Sequence, residues 1–300
     1  MARIFGLSAW IIGGSVILST SLASAPSLAS DVSSAQPLDS KADASVTLTK
    51  HYPKVGDVET TKKVGVTKLK GDVTNGKEKK TVEIERTEGK EKIEECLKVV
   101  DKECVKVKVT YKTLTQREIV AGKTNERALA SQGKTYVVER NGNKPTITLE
   151  DGSKPSDAEI EQVKKDYDEE PSTKKLLDAL PSSVKVGDSL DNFAKALAAH
   201  DLTSSSDDRP SKVDYTIKVK GFGEVDGKKT IILDVKGTME GDSPKSGHLK
   251  ASVAGSIELF ADGAAPARGD FSGPISATLP NGAGQLDGTL AQKAASTYKW

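Results

Sequence analysis

The stretch CVKVKVTY, Cys104–Tyr111, alternates apolar with charged or polar residues, and this period of two constrains the chain more than any other feature. It places Val105, Val107 and Val109 on one face of a strand and Lys106, Lys108 and Thr110 on the other. TVEIE (81–85) repeats the pattern. Asn141-Gly142 lies between two such runs in TYVVERNGNKPTITLEDG (135–152), and Asp226-Gly227 lies between two more in 214–239. These dipeptides are hairpin signals, and strands joined by such short turns must run antiparallel. Further strands are expected over 248–260, 268–280 and 284–300, where frequent glycines predict bulges or strong curvature.

In the middle of the chain the period changes to that of a helix. Pro155, Ser156 and Glu159 form a capping box, followed by Ile160, Val163 and Tyr167 on one face. A second helix is expected over 172–181, carrying Leu176, Leu177 and Leu180 and stopping at Pro181. A third is expected over 189–202, with Leu190, Phe193, Ala194 and Leu197 on its apolar side. Each must bury that side, and a sheet is the partner within reach. Aromatic residues make up 4% and charged residues 29% of the chain, so its core rests on Val, Ile, Leu and Ala in thin layers.

The tetrapeptide KVGD occurs at Lys54–Asp57 and again at Lys185–Asp188, 131 residues later. The expected fold is therefore mainly β (α+β): a curved antiparallel sheet, read as two related halves forming a half-barrel, with a short helical insert between them. The boundaries are a signal peptide at 1–29, a disordered lead-in at 30–47, an N-terminal β half at 48–153, the helical insert at 154–202 and a C-terminal β half at 203–300. The signal reading rests on Arg3, the apolar run 4–22 and the small residues after it. Its removal takes away one base, so 44 basic residues fall to 43 against 43 acidic ones. Such a balance gives no long-range attraction to nucleic acid, and no membrane span is expected after cleavage. In an exported chain Cys96 and Cys104 are expected as a disulfide that staples a hairpin turning near Val100–Lys102, with the two opposite each other on adjacent strands.

Catalytic motifs are scarce. The histidines, His51, His200 and His248, lie in separate segments, with no H-E-x-x-H, and no G-x-S-x-G occurs. The Gly-Lys turns lack phosphate-loop spacing. DYDEE (166–170) reads as a solvated helix end, and the RGD at Arg268–Asp270 as a coincidence at a strand entrance. No catalytic residue, metal or cofactor is assigned.

The segment from SQGKTYVVERNGNKPTITLEDGSKPSDAEIEQV to LPSSVKVGDSL, with the tail GSIELFADGAAPARGDFSGPIS, resembles a pattern in uncharacterised exported bacterial β-rich proteins. Where those often have Trp after VGDS, this chain has Leu190. The resemblance implies a cell-envelope β protein and lends no catalytic residue. At the level of fold, the half-barrel of periplasmic lipoprotein carriers is a distant analogy. The expected function is a non-enzymatic exported binding or structural module, periplasmic or extracellular; the alternatives are a carrier of an apolar ligand and a hydrolase. The expected partner is an apolar small molecule or an envelope protein. Val107, Val109, Leu176, Leu177, Leu180, Phe193 and Leu197 are the candidates to line either a core or an apolar pocket.

Overall fold

In a computed structural model, residues 45–75, 78–120, 122–141, 144–167, 173–202, 210–243 and 247–300 are described. The signal peptide and most of the lead-in lie outside these residues. Two small strands come first, β1 (Ser45–Thr47) and β2 (Thr49–Lys50). The N-terminal half continues as β3 (Val58–Asn75), β4 (Glu78–Val100), β5 (Glu103–Val120), β6 (Lys123–Ala128), β7 (Thr135–Asn141) and β8 (Lys144–Leu149). The insert holds α1 (Asp157–Tyr167), α2 (Thr173–Ala179), β9 (Ser183–Lys185) and α3 (Asp191–Leu202). The C-terminal half is β10 (Lys212–Val225), β11 (Lys228–Ser243), β12 (Gly247–Phe260), β13 (Asp262–Gly263), β14 (Pro266–Thr278) and β15 (Gly284–Lys299).

One open, antiparallel, eleven-stranded sheet contains most of these strands, in the order β10-β11-β12-β14-β15-β3-β4-β5-β7-β8, with β6 also on β5. The last strand, β15, pairs with β3 from Gly284↔Val73 to Lys299↔Val58, so both halves belong to one sheet. The strands of the first hairpin are far longer than the five residues of TVEIE. At about 3.3 Å per residue, the 23 residues of β4 reach roughly 75 Å. Lysine and glutamate are poor strand formers in isolation, and register is what makes them suitable here. Lys62, Lys68 and Lys70 on β3 stand directly opposite Glu91, Glu85 and Glu83 on β4, and each makes an ion pair on the solvent face.

The β4–β5 turn is Asp101-Lys102, both at positive φ, the two-residue geometry that matches strand twist. Cys96 and Cys104 form the disulfide, but diagonally rather than opposite each other. Cys96 is paired with Val107 and Val99 with Cys104, because Leu97 and Val105 are each skipped by the ladder. The same bulge removes Val105 from the face of Val107 and Val109. Cys104, Val107, Val109 and Tyr111 are buried while Val105 is only half-buried. The bond closes a short ring, so reduction is expected to cost about 2–3 kcal/mol of stability, measured by urea unfolding with and without reductant.

The two KVGD segments adopt the same turn. Gly56 and Gly187 have φ of 92° and 91°, which makes each a type II turn requiring glycine. The Lys54 and Lys185 amides donate to the Asp57 and Asp188 carboxylates, each at 2.7 Å. Each turn then grips a neighbouring strand by two backbone bonds: Gly56 to the Cys96 carbonyl and Cys96 back to Asp57, Gly187 to the Val219 carbonyl and Val219 back to Asp188. Beyond the turns the two segments diverge. Val58↔Glu95 begins the long β3, whereas Ser189↔Lys218 is a single bridge before α3 starts.

Curvature is written in glycines on the buried face. A Cβ added to Gly255, Gly273 or Gly288 would lie 2.0, 1.9 or 1.8 Å from a carbonyl oxygen of the adjacent strand. Their partners are large: Gly255↔Phe271, Gly273↔Leu290 and Gly288↔Leu69. Strands that approach this closely coil toward the side lacking side chains.

Helix α1 starts as its capping box requires. The Ser156 amide donates to Glu159 Oε2 at 2.9 Å, while Glu159 Oε1 accepts from Lys134 Nζ and Tyr136 OH, both at 2.7 Å. The Lys134 ammonium first, then Ser156 and Tyr136, pull this carboxyl down to about 2. Since the folded value lies below the unfolded one, its stabilisation is present above about pH 4.5 and is lost as pH falls toward 2. Glu159→Gln is expected to cost about 2 kcal/mol at pH 7, with the gap to wild type closing over that acid window in urea unfolding.

Residues 45–47, expected within the disordered lead-in, form β1 and pair with Ser183–Lys185. The apolar Val46 packs against the core and so orders them. Arg268–Asp270 lies within β14 and is paired on both sides, with Glu258 and Ser256 of β12 and with Ala295 and Lys293 of β15. Asn141 is paired with Lys144, and the turn residues between them lie outside the described residues.

Candidate functional site: the inner face of the sheet

The buried face of the sheet carries two large apolar cores, besides two small clusters around Ile84 and Phe260, with a charged band between the large ones. Val107 and Val109 lie in the N-terminal core with Cys96, Cys104, Tyr136 and, from α1, Val163 and Tyr167. Leu176, Leu177, Leu180, Phe193 and Leu197 lie in the C-terminal core, against Ile217, Leu233 and Phe271. All seven are buried, none more than 4% exposed. They do not share one helix–sheet interface, because β5 and β10 stand seven places apart in the sheet order. α1 covers the strands around β5, and α3 lies along β10, tied to it by the Leu190 amide on the Ile217 carbonyl and by Tyr215 OH on Asp201 at 2.5 Å.

The band between the cores is built by cross-strand rows on β3 and β4: Glu59 beside Glu94, Thr61 beside Lys92, Lys63 beside Lys90. α1 adds Asp166, which accepts from Tyr111 OH at 2.8 Å and from Lys90 Nζ. Asp166 is therefore no solvated helix end: the side chain is 14% exposed because Tyr111 and Lys90 hold it against the sheet. Residues 168–170 of that acidic run lie outside the described residues. Tyr167 OH donates to Glu94, which also pairs with Lys92 Nζ at 2.9 Å, and Tyr298 OH donates to Glu59 at 3.0 Å. Burial raises the Glu59 carboxyl above the usual range, with the Glu94 charge adding to it. Lys63 is held well below the usual lysine range, by burial first and the Lys90 charge next. Burial likewise raises the Tyr298 and Tyr111 phenols, and the nearby Glu59 and Asp166 carboxylates raise them further. Each shift disfavours charge, so the band is costly to bury.

No sequence motif marks this band, but the period of two does. Counting back from a buried Cys96 places Glu94, Lys92 and Lys90 on the inner face. The pairing of β15 with β3, which brings Tyr298 and Ser296 alongside, has no local signal.

On the opposite face lies an open groove of about 370 Å³, lined by Thr216, Thr238, Ser252 and Ser272 among others, over a gap in the β12–β14 pairing beside Pro274. Proline has no N–H to offer that ladder. The histidines remain apart: His51 stacks on Trp300 and pairs with Asp57, and His248 lies between Asp242 and Glu240. Among the described residues no three His, Cys, Asp or Glu side chains gather as a metal site, and no helix is long and apolar enough to cross a membrane.

The chain matches no family model and no curated protein. Solved structures that resemble it include lipovitellin, from a study of its lipid–protein interactions, at 8% identity and a TM-score of 0.42. That likeness covers 83% of this chain and 26% of lipovitellin, so the chain spans about a quarter of its length. DynF, from the dynemicin biosynthesis pathway of Micromonospora chersina, is 9% identical with a TM-score of 0.18, covering 86% of this chain and 88% of DynF. A DUF1329 family protein of Desulfovibrio piger is 7% identical with a TM-score of 0.13, covering 79% of this chain and 85% of the other. Scores this low fix neither topology nor ligand.

Proposed function

We propose that this protein is a non-enzymatic, exported binding module that takes an apolar ligand bearing a polar head, such as a lipid or an acyl chain, on the inner face of its sheet. The observation that carries the reading is a charged, costly band set at the border of a broad apolar inner face. At about 4.8 Å per strand, the sheet is roughly 45 Å across. The described helices, of 11, 7 and 12 residues, span only about 16, 10 and 18 Å. Ala251, Val253, Ile257 and Ile275 extend the apolar inner face across β12 and β14, where they are buried in the same core as Phe193 and Leu197. The costly band of Lys63, Lys90 and Glu59 at the border of this apolar field suits the polar end of such a molecule. Its acids and bases are engaged with one another, Asp166 with Lys90 and Glu94 with Lys92, which favours binding over catalysis. A formed disulfide supports passage through an oxidising compartment.

The test is native mass spectrometry of residues 30–300 purified from the native envelope without detergent, before and after organic extraction. A stoichiometric adduct removed by extraction is the expected result. A bare mass, together with no binding of the fluorescent fatty acid cis-parinaric acid, would overturn the reading and direct the search to protein partners.

A further inference from the structure

The tip of the β4–β5 hairpin and α2 face each other across a seam beside the β1–β9 and β2–β13 pairings, and side chains bridge it. On one side is the tip of the β4–β5 hairpin, stiffened by Cys96–Cys104; on the other is α2, whose Leu176 and Leu177 belong to the C-terminal core. Glu103 reaches across, its Oε1 accepting from the Lys174 amide at 2.6 Å. Tyr52 OH donates to Asp178 Oδ1 at 2.5 Å, and Lys174 Nζ holds the other oxygen of that carboxylate at 2.7 Å. Lys102 Nζ lies 4.2 Å from the centre of the Tyr52 ring.

We propose that this seam is the entrance through which the ligand reaches the inner face, and that Glu103, Tyr52 and Asp178 form its latch. The inference rests on the binding function argued above. Elsewhere the two halves are joined by backbone ladders, the long one between β15 and β3 and the short ones of β1 with β9 and β2 with β13. Between the hairpin tip and α2 the bridging bonds each use a side chain. The latch is also costly to keep closed. Glu103 Oε2 is buried without a partner, and burial raises that carboxyl although the Lys174 amide bond opposes it. Because the disulfide stiffens the hairpin, the movement falls on the seven-residue α2.

The test uses the full mature chain and cis-parinaric acid in stopped-flow fluorescence, comparing wild type with Tyr52→Phe and Glu103→Ala. Tyr52→Phe removes one exposed hydrogen bond and leaves the cores intact. In both variants, association and dissociation rates are expected to rise together by about fivefold, with the Kd unchanged within about twofold, and amide exchange in α2 to quicken. Unchanged rates with wild-type binding intact would overturn the entrance while leaving the binding function standing. So would faster dissociation alone with weakened affinity, which would make these residues part of the ligand contact. Failure of the wild type to bind the probe would remove the binding function and the entrance with it.

Discussion

A chain carrying Gly288→Ala is expected to lose about 3 kcal/mol of stability, and one carrying Gly255→Ala as well to fail to fold at 37 °C. The added methyl at 288 would lie 1.8 Å from the Lys68 carbonyl oxygen, and the one at 255 lies 2.0 Å from that of Asp270. Both contacts are with backbone, so relief requires two strands to part, and parting them flattens the sheet. Relative to Gly, Ala in an ordinary strand is neutral or favourable, so the sign of the change is diagnostic. Urea unfolding of the single variant measures it. A midpoint equal to or above that of wild type would show that the inner-face glycines do not set the curvature.

Phe193→Ala is expected to cost about 3–5 kcal/mol, and Val163→Ala about 2 kcal/mol. Both side chains are fully buried, Phe193 in the C-terminal core and Val163 in the N-terminal one. Their effects are expected to add within about 0.5 kcal/mol in the double variant, since sites without shared partners do not couple. Each denaturation curve gives one term of the cycle. Coupling above about 1 kcal/mol would mean that the cores act as one, contrary to their separation in the sheet order.

Several features of the fold were legible locally. The alternation of VKVTY (107–111), the turn at Asp226-Gly227 and the capping box at Ser156–Glu159 each depend on neighbours within a few residues, and each is present in the structure, whereas Val105 falls out of the alternation at the bulge. The pairing of Cys96 with Cys104 was legible for the same reason, but the diagonal was not, because the bulges at Leu97 and Val105 arise from how two strands settle together. The candidate lining residues were recognisable as apolar faces. That two of them lie in one core and five in another depends on how two runs of sequence neighbours, β3 to β8 and β10 to β15, join through the long-range pairing of β15 with β3.

Local sequence dictates a β-rich chain with a helical insert, strands with one wet face, a hairpin disulfide and two identical turns. All of these arise from periods of two and 3.6 and from residues that tolerate positive φ. The assembled sheet is what makes the last strand complete the first, turns a row of lysines and glutamates inward, and lets Glu103 cap a helix 71 residues away. The physical reason is the range of the forces. Torsional preference and alternation act between near neighbours, whereas a ladder between residues 58 and 299 forms only when two strands far apart in the chain meet at the middle of the sheet.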